Sequence, residues 1–203
     1  MNYLAHIYLS GDSEEMIIGN FIGDYVKGQQ FLNYPSEVSK GIILHRKIDT
    51  FTDSHPYIGE CILKLRPVYG KYAGIVVDIF LDHFLALNWG IYSQEELSIF
   101  TNRFHALLWS NFFQLPSQVK VVVPFLIRSK RLESYATIDG IEKTLVVMAN
   151  HTSLPAMADR GIDVLKQEYE FFNTTFNRFF PELIHYVEQV GDLKISRPLV
   201  SVY

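Results

Sequence analysis

Apolar residues recur along most of this chain at the three- and four-residue spacing of one helix face. After MNYLAHIYLS, the Gly11-Asp12-Ser13 break supplies a cap for a helix from Glu14 to Lys27, ended by Gly28. Pro35 and Ser36 open a second long helix, and Pro56 marks its end. A further helix is expected over 57–69, kinked or stopped by Pro67, and then YAGIVVDIFLDHFLALNWG gives the most apolar helix of all. The Ser93/Glu96 spacing suggests a capping box for a helix running to Phe113. The stretch 115–135 carries strand-like valines, but Pro116, Pro124 and a basic cluster favour a short helix and turns. Thr137 caps the next helix, and a last long one is expected from Pro155 to about Val190, interrupted near Pro181. No repeat or linker separates these elements, so the pattern predicts one all-α domain over 1–190, a multi-helix bundle, followed by a tail over 191–203 that is extended or disordered.

Polar residues break the apolar faces at a few places that need a reason. In GIILHRKIDTFTDSHP, His45, Asp49 and Asp53 stand four apart and share one face. In GNFIGDYVKG, Asn20, Asp24 and Lys27 fall within about 60° of arc, a polar stripe on an otherwise apolar helix. Gly19 and Gly23 weaken that helix intrinsically, which points to close approach of a neighbouring backbone. In the fifth segment Asp78 and Asp82 share a face within a run of Ile, Val, Phe and Leu, while His83 lies about 140° from Asp78. Carboxylates inside apolar surroundings are costly unless paired, so these groups either converge on a divalent cation or form separate ion pairs with Lys27, Arg46, Lys47 and Lys71. Mixed His and Asp donors suit manganese, iron, zinc or magnesium and disfavour a thiolate site.

Composition narrows the partners. The 203 residues are 48% hydrophobic, enough for a sizeable core, and the formal charge of −4 argues against a general nucleic-acid binder. The one cysteine, Cys61, cannot form an internal disulfide, and it reads as buried filler. The start lacks a positively charged region and a cleavage signal, and no apolar run reaches the ~18 residues of a membrane span, so a cytoplasmic protein is expected. His105 reads as a core or boundary residue, His185 as a surface or packing residue, and His55 as a turn residue.

Taken in order, MNYLAH, GNFIGDYVKG, GIILHRKIDTFTDSHP, DIFLDHFLALNW, ANHTSLPAM and EYEFFNTTFNRFFPEL resemble the acyl carrier protein phosphodiesterase family from Met1 to about Val190. The resemblance implies a cytoplasmic, manganese-dependent hydrolase that removes 4′-phosphopantetheine from holo acyl carrier protein. It also implies an all-α body related to the metal phosphohydrolases named for an adjacent His-Asp pair, although this chain holds only the reverse order, Asp82-His83. Carried onto the matching positions, the resemblance implies Asp24, His45, Asp49, Asp82 and His6 as metal ligands, with Asp24 also catalytic; because the departing serine oxygen is a poor leaving group that needs a proton, His83 is the expected acid. Lys27 and Arg46 would hold the phosphate oxygens. Because acyl carrier proteins are acidic, the basic residues Arg128, Lys130 and Arg131 are the expected docking patch.

Overall fold

The computed structural model describes residues 1–198, and the part of the expected tail over 199–203 lies outside the described residues. Among the described residues every regular element is helical: α1 (Tyr3–Tyr8), α2 (Glu14–Ile22), α3 (Ser36–Ser54), α4 (Pro56–Tyr69), α5 (Ala73–Leu87), α6 (Trp89–Tyr92), α7 (Leu97–Ser110), α8 (Ser117–Arg128), α9 (Arg131–Ser134), α10 (Ile138–His151), α11 (Ala158–Gln167) and α12 (Tyr169–Gly191). The all-α expectation holds. No helix among them is long and apolar enough to cross a membrane.

The tightest packing is α2 against α3. Gly19 and Gly41 face each other at the crossing, and a Cβ on either would overlap the opposing backbone. A third glycine, Gly23, lies against the His45 ring, where a Cβ would overlap imidazole carbons. The close backbone approach expected of both glycines is present at Gly19, whereas at Gly23 the close neighbour is the His45 side chain; together they seat the polar stripe of α2 on the polar face of α3. Helix α5 runs through the centre, with Val76, Val77, Phe80, Phe84 and Leu85 wholly buried. Helix α12 closes the body with Phe172, Phe176, Phe179 and Phe180, and Phe176 and Phe180 meet Tyr92 edge-on.

Four local expectations change. Helix α2 ends at Ile22, not Lys27, and a 3-10 turn, Gly23–Tyr25, follows, because the chain tightens where Gly23 passes His45. The Ser93/Glu96 capping box does not form; the Ser93 hydroxyl instead accepts from the Glu95 backbone N–H, and α7 starts at Leu97. The last helix breaks at Glu168 and not at Pro181, which α12 carries in its interior. That break lets α11 pack on α4 and α10 while α12 turns onto α3. Pro67 is likewise accommodated, near the end of α4, which stops at Gly70 with φ +56°.

Gly41→Ala should lower the urea midpoint by an amount equivalent to roughly 2–3 kcal/mol, because backbone must shift to admit the methyl. Gly59→Ala, in open space on α4, should raise it by about 0.5–1 kcal/mol. Equal responses of the two variants in urea unfolding would contradict the α2–α3 contact.

Candidate metal centre

His6 on α1, and His45 and Asp49 on α3, offer ligand atoms that all lie within 4.8 Å of one another. The i,i+4 step of α3 places Asp49 directly below His45. The two carboxylate oxygens divide between the rings: Oδ1 is 3.1 Å from His6 Nε2, and Oδ2 is 3.1 Å from His45 Nε2. The imidazoles stack with centroids 4.0 Å apart. Asp24, in the 3-10 turn after α2, adds an exposed carboxylate 3.4 Å from His45 Nε2.

Both rings are oriented by one residue, Asn20. His6 Nδ1–H donates to the Asn20 side-chain oxygen and His45 Nδ1–H donates to its backbone carbonyl, each at 2.8 Å. The amide cannot be reversed, since Asn20 Nδ2 donates to the His6 carbonyl at 2.9 Å and to Ser10 Oγ at 2.9 Å. The two hydrogen bonds consume both Nδ1 positions and turn both Nε2 atoms toward Asp49. Asn20 is wholly buried, and its place in the polar stripe of α2 was its one sequence signal.

The electrostatics follow. Burial, reinforced by His45, lowers the His6 pKa to about 4, so His6 is neutral at pH 7. With Nδ1 protonated, its bare Nε2 lone pair then faces the Met1 carbonyl, 3.1 Å away, and Asp49. Burial also opposes charge on His45, but Asp24 and Asp49 outweigh it and raise its pKa to about 9. The Nε2 atom of His45 is nevertheless buried without a well-directed hydrogen bond. Burial disfavours the Asp49 carboxylate too, yet the charged His45 ring, helped by the Met1 amino group, pulls its pKa well below the usual carboxylate range. The His45 contact likewise lowers Asp24. Lone pairs and anionic oxygens thus converge, offset by the His45 proton and, at the edge, by the Met1 amino group 3.6 Å from Asp49. Two imidazole nitrogens and a carboxylate fit a divalent cation, and the orphaned His45 Nε2 is the atom such an ion would satisfy.

Two residues named from the sequence stand elsewhere. Asp82 is fully buried, and both its oxygens accept backbone N–H groups at the start of α1, from Leu4 at 2.8 Å and Ala5 at 3.2 Å. Burial raises its pKa to about 7, against those hydrogen bonds. It anchors α1 to α5 and is outside the cluster. His83 is also locked: Nδ1–H donates to the Tyr135 carbonyl at 2.7 Å, and Nε2 accepts from the Tyr169 hydroxyl at 2.9 Å. Burial lowers its pKa, and neither nitrogen is left to act as an acid on a substrate. Asp78, one turn before Asp82, does reach the cluster's edge, 3.1 Å from the Met1 amino group, which also lies 3.6 Å from Asp49. Burial opposes charge on that amine, and Asp78 and Asp49 together raise its pKa to about 10.

Next to His45 in sequence, Arg46 donates from Nη2 to the Val26 carbonyl at 2.8 Å and lies over the Phe31 ring, while Lys27 is exposed beside Val26. His55 caps α4 by accepting from Tyr57 N–H and contacts Glu182, as befits a turn residue. An open groove of about 700 Å³ between Ser10–Ser13, α3 and 190–194 contains none of the cluster residues.

The pattern of the family described as acyl carrier protein phosphodiesterase matches residues 1–183. An acyl carrier protein phosphodiesterase of Photorhabdus laumondii is 30% identical over 190 residues, covering 93% of this chain and 96% of the relative. One from Salmonella agona is 32% identical over 186 residues, covering 91% and 96%. No solved structure matches significantly. On the match to its family pattern and these full-length likenesses, the chain belongs to the acyl carrier protein phosphodiesterase family.

Proposed function

We propose that this chain hydrolyses the phosphodiester joining 4′-phosphopantetheine to holo acyl carrier protein, releasing apo carrier protein and free 4′-phosphopantetheine. The observation that carries this reading is the His6, His45 and Asp49 donor set in a chain of this family. His6, His45 and Asp49 would hold a divalent ion, with Asp24 as a fourth donor, and manganese is the metal proposed. Such an ion, when bound, supplies Lewis acidity that makes water nucleophilic at neutral pH and offsets phosphoryl charge.

The residues of the chain supply the rest. Asn20 fixes both imidazoles before any substrate arrives, so donor geometry costs no reorganisation. Asp24, exposed beside His45, takes the proton lost by the attacking water and passes it to solvent. Arg46, braced on Val26 and Phe31, turns its remaining N–H groups to the non-bridging phosphate oxygens, with Lys27 beside it. As water adds to phosphorus, the bond to the carrier protein's serine oxygen breaks, and that oxygen takes a proton from solvent, His83 being engaged elsewhere.

Mass spectrometry of holo carrier protein incubated with enzyme and Mn²⁺ should show loss of the pantetheine arm. Asp49→Ala and Asp24→Ala should each slow that loss by about a hundredfold or more with helical content unchanged; near-normal turnover would remove the residue concerned from the site. Chelation should abolish turnover and Mn²⁺ should restore it.

Metal binding should also depend on pH in a defined direction. Below about 9 the metal-free His45 carries a proton that binding must expel. Calorimetric Mn²⁺ affinity should therefore rise about tenfold from pH 7 to 8 and level off above the His45 pKa. Affinity independent of pH over that range would contradict His45 as a ligand.

A further inference from the structure

Residues 97–132 contain five basic side chains and no acid, in a chain whose formal charge is −4. This span also carries a run of exposed apolar side chains. Trp109 is 54% exposed at the end of α7, Phe113 is 90% exposed just beyond it, and on α8 Val121 and Phe125 are 78% and 45% exposed. The two segments are tied together by Lys120 Nζ, which donates to the Phe113 carbonyl at 2.8 Å. Val121 and Phe125 stand one turn apart on the outer face of α8, with exposed Arg128 and Lys130 at its end. Lys130 is 3.8 Å from Glu133, the first acid after the span. Large exposed apolar side chains grouped with charge of one sign mark an interaction surface.

Arg131 does not belong to the accessible part. It is 8% exposed, donates to the Thr144 hydroxyl at 2.8 Å, and lies under the Phe125 ring. The expected patch of Arg128, Lys130 and Arg131 therefore loses Arg131 to the interior and is completed instead by Lys120 and the apolar stripe.

We infer that the outer face of α8, with the aromatic end of α7, docks an acidic amphipathic helix of the protein substrate. This rests on the hydrolase reading for the identity of that substrate. Charge complementarity favours such a partner: acidic side chains would meet Lys120, Arg128 and Lys130, and apolar ones would lie along Val121 and Phe125. A second copy of this chain would bring like charges together. A lipid surface calls for a broad apolar face, whereas α8 spends Val119, Val123 and Leu126 on the core and shows only a narrow stripe outward. A chain of hydrogen bonds leads from this surface towards the helix that carries His6. Helix α9 follows α8 and leads to the buried Tyr135, whose carbonyl accepts from His83 on α5, next to the Asp82 that holds the first turn of the helix carrying His6.

Two variants of the full chain test the proposal: Lys120→Glu/Arg128→Glu/Lys130→Glu, and Phe113→Ser/Val121→Ser. Fluorescence anisotropy should show each weakening affinity for holo carrier protein at least tenfold, and added salt should weaken the wild type but not the charge-reversed variant. Hydrolysis of bis(4-nitrophenyl) phosphate, which needs no docking, should stay within twofold in both. Unchanged carrier affinity would overturn the proposal. So would unchanged carrier affinity alongside lost binding to phosphatidylglycerol vesicles, or alongside loss of a wild-type dimer in sedimentation. Wild type that binds holo carrier protein through this face without removing its arm would leave docking intact and defeat the hydrolase reading. Turnover of carrier protein with the same KM in wild type and variants would do the reverse.

Discussion

Asn20 is the hinge of the structure's chemistry. Its side-chain oxygen and its backbone carbonyl each take one imidazole N–H, and that single residue decides which nitrogens of His6 and His45 are left facing Asp49. A buried amide with all its hydrogen bonds made is rigid, and reversing it would set the Asn20 oxygen against the His6 carbonyl. The donor set is consequently assembled in advance of any ion. Its cost is a convergence of lone pairs and carboxylate oxygens in a partly buried place, tolerated because His45 holds a proton there and the Met1 amino group lies beside Asp49.

The fold serves that arrangement. The Gly19–Gly41 crossing brings α2 close enough to α3 for the Asn20 carbonyl to reach His45, and Gly23 leaves room for the ring. Asp82, the buried acid of α5, fixes α1 by accepting its first N–H groups, which sets where His6 stands. Two carboxylates that look alike in sequence thus work at different levels. Asp49 offers its oxygens to the cluster, and Asp82 spends its own on backbone that positions the cluster.

Much of this was legible beforehand, and the divide has a physical cause. Helical period shows in one strand of sequence, so the helices, the shared face of His45 and Asp49, and the close approach at Gly19 could be read from spacing, whereas the His45 ring against Gly23 could not. Whether a buried polar group is already satisfied cannot be read that way. The partners of His83 are 52 and 86 residues distant, and those of Asp82 are 77 and 78. The same limit hid Arg131, whose place under Phe125 depends on Thr144. The misplaced helix break has another origin: Pro181 costs α12 one hydrogen bond, which packing of Phe179, Phe180 and Leu183 outweighs.

The claim that two imidazoles preset by Asn20 share one ion with Asp49 is most directly tested by X-ray absorption at the manganese edge of the loaded protein. A first shell containing two imidazole nitrogens, falling to one in His6→Ala, is the predicted result. A shell of oxygen atoms alone, unchanged by that substitution, would contradict it.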